Sequence, residues 1–227
     1  MPEGNQPDMV TRERLLKALA EQLKSPLLQI AYQAETGRHD ALLGISMVTS
    51  RALHLIDSYL LSAEQQELAL EPVSVSAVLY DVAQALDPLA RQYNAEIEIS
   101  VAGKYGPVMA HRKSLEAALV TIGHSLLEAD VNRHPKLVLS AFRNRQGIAA
   151  GVFGDHPELT ADSFRRALAL FGAARQPLPS VSPLNGAGLY VAEALFESMD
   201  ARLQVSRRHK LTGLAASFVP SAQLQLV

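Results

Sequence analysis

The chain has 227 residues, 48% hydrophobic and 19% charged, with a formal net charge of −2. That length suits one or two packed domains, and the lack of a long basic run argues against a broad nucleic-acid-binding face. With no cysteine, thiol catalysis, disulfides and cysteine-held zinc are excluded. In chain order, residues 1–8 are polar and lack the apolar core of a signal peptide. No apolar run approaches the ~20 residues a membrane helix needs. A cytoplasmic protein with no membrane span of its own is expected, one that reaches any membrane receptor through a partner.

Leu16, Leu19, Leu23, Leu27, Ile30 and Ala34 recur every three or four residues, which predicts one long helix over Val10–Glu35. Pro26 falls inside it, where a proline costs about 3 kcal/mol, so some constraint of shape should offset that cost. Gly37–Asp40 reads as a turn. A second helix follows over Ala41–Glu67, with the stripe Leu42, Ile45, Thr49, Ala52, Ile56, Leu60 and Ala63 near coiled-coil spacing. Two long helices joined by a short turn pack antiparallel. A homodimer, making a four-helix bundle, is the simplest way to bury both faces.

Pro72 marks a boundary, with Ser74 or Ser76 able to cap a helix over Ala77–Asn94. The alternation Ile97, Ile99, Val101 predicts a half-buried strand. A turn at Gly103–Pro107, a short strand at Val108–Ala110 and a helix over Lys113–Ala129 follow. Lys136–Arg143 and Ile148–Phe153 suit a hairpin turning at Asn144 and Gly147. A helix over Ala161–Phe171, a proline-rich loop over Ala173–Ser182, a helix over Gly188–Met199 and a hairpin of Arg202–Arg207 with Leu214–Val219 complete the chain. The fold class is α+β: a helical hairpin over residues 1–70, then an α/β sandwich over 71–227 with helices on one face of the sheet.

From Leu23 to Leu27 the sequence Leu-Lys-Ser-Pro-Leu resembles the dimerisation helix of sensor histidine kinases. Arg51–Asp57 resembles their second dimerisation helix, and Glu71–Val75 the start of their nucleotide domain. The later order of elements is similar to the ATPase domain shared by histidine kinases, gyrase and Hsp90. The resemblance spans about Thr11 to Pro220, and it implies a histidine kinase core with altered chemistry. At the phosphoacceptor position stands Glu21, which lacks the imidazole nucleophile, and Gln22 replaces the acidic general base. Ser25 and Pro26 are kept. On the magnesium-binding helix, Thr121 and Ser125 stand where the family has asparagines. A serine oxygen is a poor magnesium ligand, and His124 beside it reads as an ordinary helical histidine.

The family's adenine-binding Asp-x-Gly-x-Gly corresponds to Gly154–Glu158, with Asp155 displaced by one place and His156 and Glu158 replacing glycines. Asn185-Gly186-Ala187-Gly188-Leu189 resembles the Gly-x-Gly-Leu that ends the ATP lid. There, glycines admit phosphates to a helix N-terminus. The loop before it offers Arg175 as the nearest cation.

The resemblance therefore implies a degenerate histidine kinase, a pseudokinase serving two-component-type signalling as a dimeric docking scaffold. No cofactor is expected beyond weak binding of ATP and magnesium. Its partners would be a second copy of itself and a response regulator or another histidine kinase, docking near Lys24, Ser25, Pro26 and Leu28. Two alternatives stay open. One is a phosphotransferase using a bundle histidine, His54 or His39; the other is an ATP-binding divergent kinase, favoured by Gly186 and Gly188. An interaction protein with no signalling link is a fourth reading.

Overall fold

Ser74 adopts an extended backbone and its hydroxyl accepts a hydrogen bond from the Ala77 amide, the arrangement that starts a helix. The helix it caps, α2, covers Val75–Tyr93 and ends where Asn94 takes a left-handed conformation, its N–H meeting the Ala90 and Arg91 carbonyls. In this computed structural model the described residues are 41–63, 69–129, 134–173 and 186–221, with helical positions between Leu16 and Glu35. Helix α1 is Ala41–Ala63 and strand β1 is Glu71–Val73. After α2 come β2 (Glu96–Val101), β3 (Val108–Ala110), α3 (Arg112–Ala129), β4 (Lys136–Asn144) and β5 (Gly147–Gly154). Then follow α4 (Ala161–Ala173), α5 (Gly186–Glu197), β6 (Gln204–Arg208) and β7 (Leu211–Phe218).

The main sheet has the order β2-β4-β5-β7-β6. Strand β2 runs parallel to β4, because β3 and α3 form the crossover that a parallel pair needs. The remaining neighbours are antiparallel, each joined by a short turn or by the helices α4 and α5. Strands β1 and β3 make a separate small antiparallel sheet, and Val108 also bridges Pro220, which ties the end of β7 to it.

One face of the main sheet presents Leu139, Ala150, Val152, Leu214 and Ala216 to a core completed by α2, α3 and α5. Val78, Leu79, Val82 and Leu86 form the buried stripe of α2, at the helical period that makes one face apolar. Helices α2 and α3 approach closely because Gly123 lacks a side chain: a Cβ there would lie 2.5 Å from Leu86 Cδ1. Helix α5 packs on α3, α4 packs on α5, and α1 rests on both α3 and α5.

The α+β class and the sheet-and-helix layering match expectation; several details differ. Strand β1 lies at the boundary marked by Pro72, where no strand was expected, since three residues starting at a glutamate and a proline give no alternating pattern to read. Helix α2 starts earlier than expected because Ser74, not Ser76, caps it. Strand β7 begins at Leu211, since the hairpin turns at His209, which takes φ 52°; Gly213 lies inside the strand. On α1 the buried residues include Val48, Ala52 and Ser58, while Leu42 is 79% exposed and Leu53 and Leu60 are exposed. The described positions from Leu16 to Glu35 are helical as expected.

Candidate functional site

Helices α3 and α5 carry the residues that the resemblance singled out. Thr121 and Ser125 lie one turn apart on α3 and are 2% and 3% exposed. Neither hydroxyl points its proton outward: Thr121 Oγ1 donates to the Ala117 carbonyl at 2.8 Å, and Ser125 Oγ donates to the Thr121 carbonyl at 3.0 Å. Such bonds to the preceding turn give a buried hydroxyl an acceptor for its proton. Gly188 on α5 faces them. A Cβ added there would stand 3.0 Å from Ser125 Oγ and 3.4 Å from Thr121 Cγ2, so the absence of a side chain is what lets the helices meet. Gly186 is the first residue of α5, and Leu189 is fully buried in the core. His124 is half-buried on α3.

At the end of β5 the chain turns outward through Asp155, which is exposed, and back inward at His156, which is 2% exposed. The His156 ring lies against Gly154, where a Cβ would come within 2.9 Å of its Cδ2 and Nε2. Its Nδ1 is 3.7 Å from Glu158 Oε1. Helix α4 then starts at a reciprocal cap, with the Thr160 amide donating to Ser163 Oγ and the Ser163 amide to Thr160 Oγ1. The structure thus brings Ser125 and Gly188 together, while Asp155 lies on the solvent side of a turn. Lys24 is helical and exposed, and Leu28 is helical and 63% exposed. Glu21, Gln22, Ser25, Pro26, His39 and Arg175 lie outside the described residues, as does the side chain of His54.

A different group of residues surrounds an open cavity of about 570 Å³ between α4, α5 and the start of β6. Glu193 of α5 and Arg202 line it. Burial, with Glu197 one turn away adding to it and Arg202 opposing, pushes the Glu193 carboxyl up to about 7. The sequence reading did not select these residues. The one signal available was the like-charged pair Glu193 and Glu197, spaced to share a helix face. On the outer side of α2 and α3, Arg112 pairs with Asp81, and burial and Asp81 raise the Glu116 carboxyl against the lowering effect of Arg112.

No family model matches the chain, and no curated protein matches it. Solved structures do. The Acinetobacter baumannii histidine kinase AdeS is similar to it at 15% identity and TM-score 0.57, over 89% of this chain and 98% of that one. A bacterial phosphotransferase is similar at 13% identity and TM-score 0.54, over 93% and 98%. The histidine kinase ThkA, in complex with the response regulator protein TrrA, is similar at 13% identity and TM-score 0.57, over 87% of this chain and 58% of that one. By fold, this chain resembles the catalytic core of the sensor histidine kinases.

Proposed function

We propose that the chain is a degenerate histidine kinase core, a pseudokinase acting as a dimeric docking scaffold in two-component-type signalling. The observation that supports this most is the contact of Gly188 with Ser125 and Thr121. Where the kinase family would admit phosphates and magnesium, two buried hydroxyls are already bonded to their own helix. Magnesium seeks several hard oxygens in near-octahedral geometry, and this donor set does not fit it. A carboxylate at Glu158 adds repulsion toward an anionic ligand, and Glu21 supplies no imidazole.

On this reading the division near residue 70 separates a dimerising helical hairpin from the ATPase-type domain. The exposed leucines Leu42, Leu53 and Leu60 on α1, with Leu16 and Leu27 before it, support a second copy as the hairpin's partner. The complex of ThkA with TrrA supports a response regulator as the docking partner, with Lys24, Ser25, Pro26 and Leu28 as its contact. Incubation with radiolabelled ATP and magnesium tests the proposal: no label should enter the protein. Hydroxylamine-sensitive label that disappears in Glu21→Ala would overturn it. The end-to-end match to a bacterial phosphotransferase favours one second reading, in which a bundle histidine receives phosphate from another protein. Acid-labile label from a phosphorylated kinase, lost in His54→Ala or His39→Ala, would select that reading.

A further inference from the structure

The two sides of α5 differ in kind. Toward α3 it presents Gly188 and Leu189 to a closed contact. Toward α4 it presents Glu193 to the open cavity, whose size of about 570 Å³ is that of small-molecule sites. Phe164, Leu203 and Val205 give that cavity an apolar lining, and its charged residues are of both signs: Glu193 and Asp200, Arg165 and Arg202. Among the described residues Arg165 pairs with Asp162 at 3.9 Å, both side chains exposed, and a guanidinium carries five N–H donors.

The segment bearing Asp200 and Arg202 is fixed by the end of α5. The Ala201 amide bonds the Phe196 carbonyl at 3.0 Å and the Asp200 amide bonds the Glu197 carbonyl at 3.0 Å, the paired closure of a Schellman motif. In that motif Asp200 occupies the left-handed position, at φ 54°. Glycine is the residue that position favours, because a Cβ strains it. Aspartate, like the Asn94 that ends α2, is one of the few other residues that take this conformation, and here it sets a carboxylate beside the cavity.

We propose that this cavity is a binding site for a zwitterion with an apolar side chain, of the free amino-acid or dipeptide class. The ligand's ammonium meets Glu193 and Asp200, its carboxylate meets Arg165 and Arg202, and its side chain lies on Phe164, Leu203 and Val205. The site is independent of the docking reading and of the closed contact between α3 and α5. The test is calorimetric titration of the full chain with L-leucine, L-phenylalanine and leucyl-leucine. Leucinamide, which lacks the carboxylate, and 4-methylvalerate, which lacks the amine, serve as single-charge controls. At least one zwitterion should bind saturably, at least tenfold tighter than either control. Arg202→Gln should weaken it at least fivefold. Asp200→Gly should also weaken it at least fivefold while raising the thermal unfolding midpoint, so that lost binding cannot be lost folding. No saturable heat with any zwitterion up to 10 mM, or equal affinity for the single-charge controls, would overturn the proposal. ATP titrated in parallel reports on the proposed function separately.

Discussion

At Gly188 a methyl group would stand 3.0 Å from the Ser125 hydroxyl, so a larger side chain must separate α5 from α3. Overpacking of this kind costs about 1–3 kcal/mol. Gly188→Leu should therefore lower the urea unfolding midpoint, and an unchanged midpoint would mean that the two helices do not meet there. Glu193 makes a second prediction. Burial pushes its folded carboxyl up to about 7, above the ordinary carboxylate range, so between that range and about 7 the folded state binds more protons than the unfolded one. The stability this group contributes is complete at the acid end and is lost as pH rises through that window. Glu193→Gln should flatten the decline in unfolding midpoint between about pH 5 and pH 8. Glu116, shifted in the same direction, leaves a residual slope, and an unaltered slope in the variant would contradict the assignment. At this scale the sequence was partly legible. Hydroxyls at Thr121 and Ser125 could be read, because residue identity alone places them on one helix face. The inward turn of His156 and the left-handed Asp200 could not be, because tertiary packing decides both.

Among the elements, those with strong periodicity were legible: α2, α3 and β2 follow their apolar spacing to within a few residues. Those set by pairing partners were not. Strand β1 exists because β3 lies beside it, and no local pattern announces a three-residue strand containing a proline. The hairpin of β6 and β7 turns at His209 and Lys210, so β7 starts at Leu211 rather than at the expected Leu214, since the strands' register fixes the turn. The turn between β4 and β5 offers a test. Gly147 has φ 142°, and a Cβ there would collide with the Phe218 carbonyl oxygen. Gly147→Ala therefore combines backbone strain with a steric clash against β7. It should destabilise the fold by about 2 kcal/mol or more, measured by denaturant unfolding. A neutral result would show that the turn can rearrange freely.

For the molecule as a whole, α1 exposes Leu42, Leu53 and Leu60, apolar side chains that a partner would take out of water. A four-helix bundle made by two copies would cover them. Light scattering at micromolar concentration should give twice the mass of 24.6 kDa. Leu53→Glu combined with Leu60→Glu should return it to a monomer without unfolding the α+β part. A monomeric mass for the unaltered chain would sink the dimer. The overall layering was legible because the order of helices and strands admits few packings. The closure of α3 on α5 was not, because it depends on a glycine meeting a serine across more than sixty residues of chain. Titration calorimetry with ATP and magnesium tests that closure. With α3 closed on α5, no saturable heat is expected up to millimolar nucleotide. Saturable binding that is weakened by Gly188→Leu would mean that the cleft opens for nucleotide, and would contradict the scaffold reading.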